Sequence, residues 1–296
     1  MQTRYESFSR KIFLIINITV LLFLAVICFL PMIHILAVSL SDKTAASAGF
    51  VKLLPVNFTL VAYTYVLNRP SFWMSFYVTL KRVLLGGVIN LFLTVFTAYP
   101  LSKSNLKFKA RSFFAWFFFF STLFSGGLIP GYMLIFKLGL MDTLWALILP
   151  GAVPVFNVIL MLNFFRQIPI ELEEAAFIDG ASHWKTLFRI YIPCSLPSIA
   201  TVTLFSIVHH WNSYFDGMIY SNFPDNYPLQ TYLRSIIAAT NVAMVVSRED
   251  WRLIQQLSDR TVKASQIFIA AVPVLCVYPF LQKYFVKGIT IGSVKG

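Results

Sequence analysis

Long stretches without Asp, Glu, Lys or Arg dominate the pattern of the chain. Six are apolar and long: residues 12–40, 83–102, 112–136, 143–165, 190–215 and 264–282. A helix rises about 1.5 Å per residue, so about 20 residues cross a hydrocarbon core of roughly 30 Å. The pattern predicts six spanning helices in an all-α, polytopic membrane protein. Residues 53–68 are also uncharged, but Pro55, Asn57 and Thr59 interrupt them. They read as an external loop or a surface-lying segment. The first run far exceeds the roughly 7–15 residues of a signal-peptide core, and no small-residue cleavage site follows it. It reads as a span that stays in the protein.

Composition agrees. Of 296 residues, 58% are hydrophobic and 12% charged, and mean hydropathy is +0.73. Soluble domains carry about 25% charged residues. A cytosolic enzyme, a disordered chain and a disulfide scaffold are excluded. Cys28, Cys194 and Cys276 are far apart and form no CxxC pair. They read as small buried hydrophobes, with no disulfide or metal site.

The net charge is +12, from 24 basic and 12 acidic residues. In a soluble protein that excess points to nucleic acid. In a membrane protein it points to basic cytoplasmic loops, without nucleic acid. Arg4, Arg10 and Lys11 face one acid, Glu6, at the N-terminus. Lys103, Lys107, Lys109 and Arg111 fill the loop between spans two and three, and Lys283, Lys287 and Lys295 the C-terminal tail, both without acids. Both termini are therefore expected in the cytoplasm. The chain reads as one transmembrane domain over 1–296, with a cytoplasmic loop at 166–195 and an external loop at 221–263. The external loop opens with turn residues (Asn222, Pro224, Asp225, Asn226, Pro228), and residues 249–264 fit a water-exposed helix.

The loop between spans four and five is the exception to the basic rule. Residues 166–189 carry Glu171, Glu173, Glu174 and Asp179. Pro169 can start a helix whose first turns suit the glutamates. Asp179-Gly180 signals a turn, and Ser182 can cap a second helix. On that helix Trp184, Leu187, Phe188 and Tyr191 form an apolar face. Pro193 and Pro197 mark the return to the membrane. Small residues (Ala175, Ala176, Gly180, Ala181) permit close approach, so the loop reads either as a docking element or as a surface helix–turn–helix.

Glu174-Ala175-Ala176, then Gly180, then Ile190-x-Ile192-Pro193 resembles the EAA signature of ABC importer permeases, with Ile192 where the family usually has Leu. Leu138-Gly139-Leu140, Thr143 to Pro150 and Ile178 to Ser182 resemble the maltose-type sugar branch, as do Lys287-Gly288 and Val294 to Gly296. Phe124 to Pro130 and Trp211-Asn212-Ser213-Tyr214 resemble the subgroup for oligosaccharides of acidic polysaccharides such as pectin or alginate. The resemblance implies a type I permease fold. It implies pairing with a second, related permease, two copies of a cytoplasmic ATPase and an external solute-binding protein. Glu174, Ala175, Ala176, Asp179, Gly180, Ala181 and Ser182 then dock the ATPase. No GxxxxGK[ST] occurs in the chain, so ATP and Mg would belong to the ATPase and this chain would bind no cofactor.

Span five is rich in polar groups. His209, Trp211, Asn212, Ser213, Tyr214, Asp216 and Tyr220 either line a sugar pathway or bond between helices. His209, Asn212 or Ser213, Asp216 and Tyr220 share a helical stripe. His209 and His210 together raise a metal site or proton relay as a minor alternative, but no acid cluster supports it. Lys81 and Arg82 read as the outer end of span two, either snorkelling or attracting uronic carboxylates. The phenylalanines at 117–120 read as lipid-facing or interhelical filler. Two other classes compete: an ion-coupled secondary sugar carrier, which needs ionisable groups in the spans, and a membrane scaffold without transport.

Overall fold

The computed structural model describes residues 8–104, 106–238 and 258–292. Arg4, Glu6, Lys295, the 249–257 part of the expected exposed helix and the final residues of the C-terminal motif lie outside them. The chain forms two compact units, 1–69 with 236–271 and 70–235 with 272–296. The described residues are helical, without a strand.

The first unit holds α1 (Phe8–Ser39), α2 (Lys43–Ala48) and α3 (Val61–Leu67). Asp42 caps α2 by accepting from the Ala45 amide. The 53–68 segment is partly ordered as α3, which buries Ala62, Tyr65 and Val66.

The second unit holds α4 (Pro70–Ser102), α5 (Arg111–Leu123), α6 (Leu128–Lys137), α7 (Leu144–Ile148) and α8 (Val155–Gln167). The loop supplies α9 (Ile170–Ile178), α10 (His183–Thr186) and α11 (Ile192–Cys194), with π-helical Leu187–Tyr191 between the last two. Then come α12 (Leu196–Asn212), α13 (Phe215–Tyr220) and α14 (Leu229–Ala238). A last helix, α15, covers Asp259–Gly292. Residues 259–264, expected to be wholly water-exposed, are its first turns and bury Thr261 and Val262.

Among the described residues, three helices are long and apolar enough to cross a membrane alone, within Phe8–Ser39, Pro70–Ser102 and Asp259–Val277. Three more runs qualify only as bent pairs. Arg111–Leu123 and Leu128–Lys137 meet at 112°, Leu144–Gly151 and Val155–Gln167 at 48°, and His183–Cys194 and Leu196–Asn212 at 83°. Each bend sits on breakers. Gly126 and Gly127 make the first, with Gly127 at φ +85°. Pro150, Gly151 and Pro154 make the second. Pro193 and Pro197 flank the third at Ser195.

The core of the second unit is built where α4, α8 and α12 meet. Val95, Ala98, Tyr99, Val158, Met161, Phe165, Leu187, Tyr191 and Val202 fill it. Phe118 packs against it, while Phe117, Phe119 and Phe120 face outward. The cysteines correct the expectation of burial, because all three are exposed. Cys28 sits on α1, whose apolar window buries nothing in this chain. A small apolar side chain is as acceptable against lipid as in a core.

Candidate functional site

Two polar constellations stand out in the second unit. The first begins at Arg82, which is 1% exposed and not at the end of a span. The helix starts at Pro70, twelve residues earlier, so both snorkelling and an open carboxylate trap are excluded for Arg82. Its guanidinium is ion-paired with Asp216. It also donates from Nη2 to the Leu147 carbonyl at 3.2 Å and from Nε to His210 Nδ1 at 3.4 Å. Lys81 is exposed, its ammonium 4.1 Å from the Tyr77 ring centre.

The donors then order themselves. Arginine always donates, so His210 Nδ1 accepts. Its Nε2–H therefore donates to Asn90 Oδ1, 2.5 Å away. Asn90 Nδ2 in turn donates to the carbonyls of Gly151 and Ala152 at 2.7 and 3.2 Å. Those carbonyls are freed by the break between α7 and α8. Non-helical backbone at membrane depth needs such partners. Gly86 makes room for the histidine, since a Cβ there would lie 2.5 Å from His210 Nε2.

Beside this chain opens a cleft of about 290 Å3, lined by Asn90, Asn157, Ser206 and His209 with Phe156 and Phe205. Asn157 donates to Ser206 Oγ at 3.3 Å. The expected stripe of span five is divided here. The helix stops at Asn212, and Ser213 and Tyr214 separate α12 from α13. His209, Asn212 and Tyr214 are exposed. Ser213 and Tyr220 are half-buried. Trp211 is buried against Phe76, with ring centres 6.0 Å apart, and Asp216 faces Arg82. Asn90 and Asn157 gave no sequence signal beyond being amides in apolar helices.

The second constellation is the 166–195 loop. Gly180 takes φ +75° directly after α9, and its amide and that of Ala181 bond back to Phe177 and Ala176 at 3.0 and 2.8 Å. An L side chain resists that conformation. Ser182 caps α10, its hydroxyl accepting from the Lys185 amide. The expected apolar face is split: Leu187 and Tyr191 are buried, while Trp184 and Phe188 are exposed. Glu171, Glu174, Ala175, Asp179, Gly180 and Ser182 are exposed, Ala181 is half-buried and Ala176 is buried.

Glu173 differs from its neighbours. It is 2% exposed and accepts from Lys103 Nζ at 2.8 Å, Lys107 Nζ at 3.3 Å and the Tyr191 hydroxyl at 2.5 Å. Burial pushes its pKa up, but hydrogen bonds from Lys103 and Tyr191 and the two ammonium charges outweigh this and hold it below the usual value. The Lys103 ammonium also lies 4.0 and 3.8 Å from the ring centres of Tyr99 and Tyr191. Lys103, read as one of the charges that set orientation, is thus buried, and burial lowers its pKa. A cleft of about 360 Å3 lies alongside, lined by Phe96, Tyr99, Lys103, Lys107, His183 and Trp184.

Residues 11–291 match the family described as binding-protein-dependent transport system inner membrane component. The chain belongs to this family. It is 40% identical to Protein LplC of Bacillus subtilis over all of this chain and 99% of that protein. It is 39% identical to the polygalacturonan/rhamnogalacturonan transport system permease protein YtcP of Bacillus subtilis, over 93% of this chain and 96% of that one. A chain in the crystal structure of a bacterial ABC transporter that imports the acidic polysaccharide alginate superposes with a TM-score of 0.85 at 36% identity, covering 96% of this chain and 100% of that chain. Family membership makes this chain a permease component of an ABC importer and gives it the type I permease fold. The 166–195 loop therefore sits in a transporter, not in a scaffold.

Proposed function

We propose that this chain forms one half of the translocation pathway for an acidic oligosaccharide. The observation that carries the substrate class is its similarity to two permeases, one named for polygalacturonan and one for alginate import. In this reading the chain lies in the bacterial cytoplasmic membrane, with six spans and both termini inside. It pairs with a second, related permease. Two ATPase copies bind ATP and Mg and drive alternating access, and an external solute-binding protein delivers the sugar.

The exposed loop residues Glu174, Ala175, Asp179, Gly180 and Ser182 meet the ATPase, with Ala181 at the edge. Ala176 seats α9 against the chain. A Cβ on Gly180 would meet nothing within 4 Å among the described residues, which supports surroundings open to a partner. Sugar passes the cleft bordered by His209, with Asn212, Ser213, Tyr214 and Tyr220 nearby. Trp211 and Asp216 support the wall from behind. Amides and hydroxyls suit sugar hydroxyls, and aromatic faces suit their CH surfaces.

The test is ATPase stimulation in the complete reconstituted importer with its binding protein. Oligogalacturonate or oligoalginate is expected to stimulate hydrolysis, and a neutral oligosaccharide of equal length is not. Stimulation by neutral sugars alone would overturn the acidic assignment.

A further inference from the structure

The balanced charge of the 166–195 loop does not come from its outward face alone. Of its four acids, Glu173 alone is buried, and it faces the transmembrane body. We propose that Glu173 is the positioning residue that ties the coupling helix α9 to the spans, so that ATPase movement becomes movement of the pathway. This rests on the coupling role given above to the 166–195 loop.

The carboxylate joins three segments. Lys103 and Lys107 belong to the linker that leaves α4, which carries Arg82 and Asn90 at the pathway. Glu173 itself is on α9. Tyr191 is on the π-helical segment that enters α12 through the 83° bend. A pull on α9 therefore reaches the end of α4 and the start of α12 together. The three segments hold one another firmly because a buried carboxylate cannot leave its cations without being left unpaired, which is strongly unfavourable. The aromatic walls of Tyr99 and Tyr191 hold Lys103 from the other side. The neighbours Glu171 and Glu174 are exposed and stay free for the partner. One glutamate of the run thus faces inward while the others face the ATPase.

The experiment uses the complete importer in proteoliposomes and reads sugar transported per ATP hydrolysed. Glu173→Gln keeps the size and removes the charge. It is expected to retain the co-purified ATPase and its hydrolysis, while transport per ATP falls at least tenfold. Tyr191→Phe removes one hydrogen bond to the same carboxylate and is expected to lower the ratio about threefold. An unchanged ratio in Glu173→Gln would overturn the proposal. If Glu173→Gln does not assemble, Tyr191→Phe decides, and a wild-type ratio there overturns it equally. Gly180→Trp separates this from the wider reading. Should Gly180→Trp leave ATPase binding intact, the coupling role of the loop itself is wrong. Should it abolish binding while Glu173→Gln transports normally, only the tie fails.

Discussion

Arg82, inside α4, and Asp216, in the first turn of α13, form an ion pair across 134 residues of sequence, the arginine side chain 1% exposed and the aspartate 23%. The pair neutralises the buried arginine of α4 with the acid of α13, while the adjacent Lys81 of α4 is exposed. Neither member of the pair is left free to couple an ion gradient, which weighs against a secondary carrier.

Breaking this pair from the buried side should be costly. Arg82→Met leaves the partly buried Asp216 without its cation, with the Ser213 hydroxyl and Gly217 amide still donating to it, and is expected to destabilise on the order of 3 kcal/mol. Asp216→Asn should cost less, because the amide still accepts from the guanidinium. Thermal unfolding of the detergent-solubilised permease pair measures both. Equal melting temperatures for Arg82→Met and wild type would contradict the account.

Exposure separates pathway residues from supports along α12. His209→Ala removes an exposed side chain at the cleft. It is expected to leave the melting temperature unchanged and to raise the sugar concentration needed for half-maximal transport. Trp211→Ala opens a cavity at a buried position and should cost about 3–5 kcal/mol. A destabilised His209→Ala with normal sugar dependence would place His209 among the supports.

Glu173 sets a pH window. Its folded pKa lies below its usual value of 4.5. Its contribution is thus fully present above about 4.5 and is lost as pH falls through the lower folded value. The stability difference between wild type and Glu173→Gln should be constant from pH 7 to 5 and shrink below 4.5. A difference that grows with acid would reverse the assigned sign.

The breakers show how far the sequence carries. Gly180, Ser182 and the turn at Pro224 took their expected conformations, because each depends on chemistry within a few residues. The apolar runs were visible for the same reason. Their bends were not, although Gly126-Gly127, Pro150 and Pro154 stood in plain view, since a charge count does not register backbone direction. A charge count puts Arg82 at a span end, because it lets any charge close a span. Distant partners, Asp216 with the Leu147 carbonyl and His210, allow it inside. The remaining signal is Asp216, the acidic candidate beside span five, and pairing it with Arg82 identifies the contact. Glu173 offered no such clue, because the signature singles out Glu174 and leaves Glu173 as one more acid of a short acidic run.

ATP-driven uptake of labelled acidic oligosaccharide into proteoliposomes tests the central claim most directly. The vesicles hold this chain, its partner permease and the ATPase, with binding protein outside and ATP inside. The account predicts uptake that requires both ATP and binding protein and does not respond to a proton or sodium gradient. Uptake driven by such a gradient with the ATPase removed would contradict it.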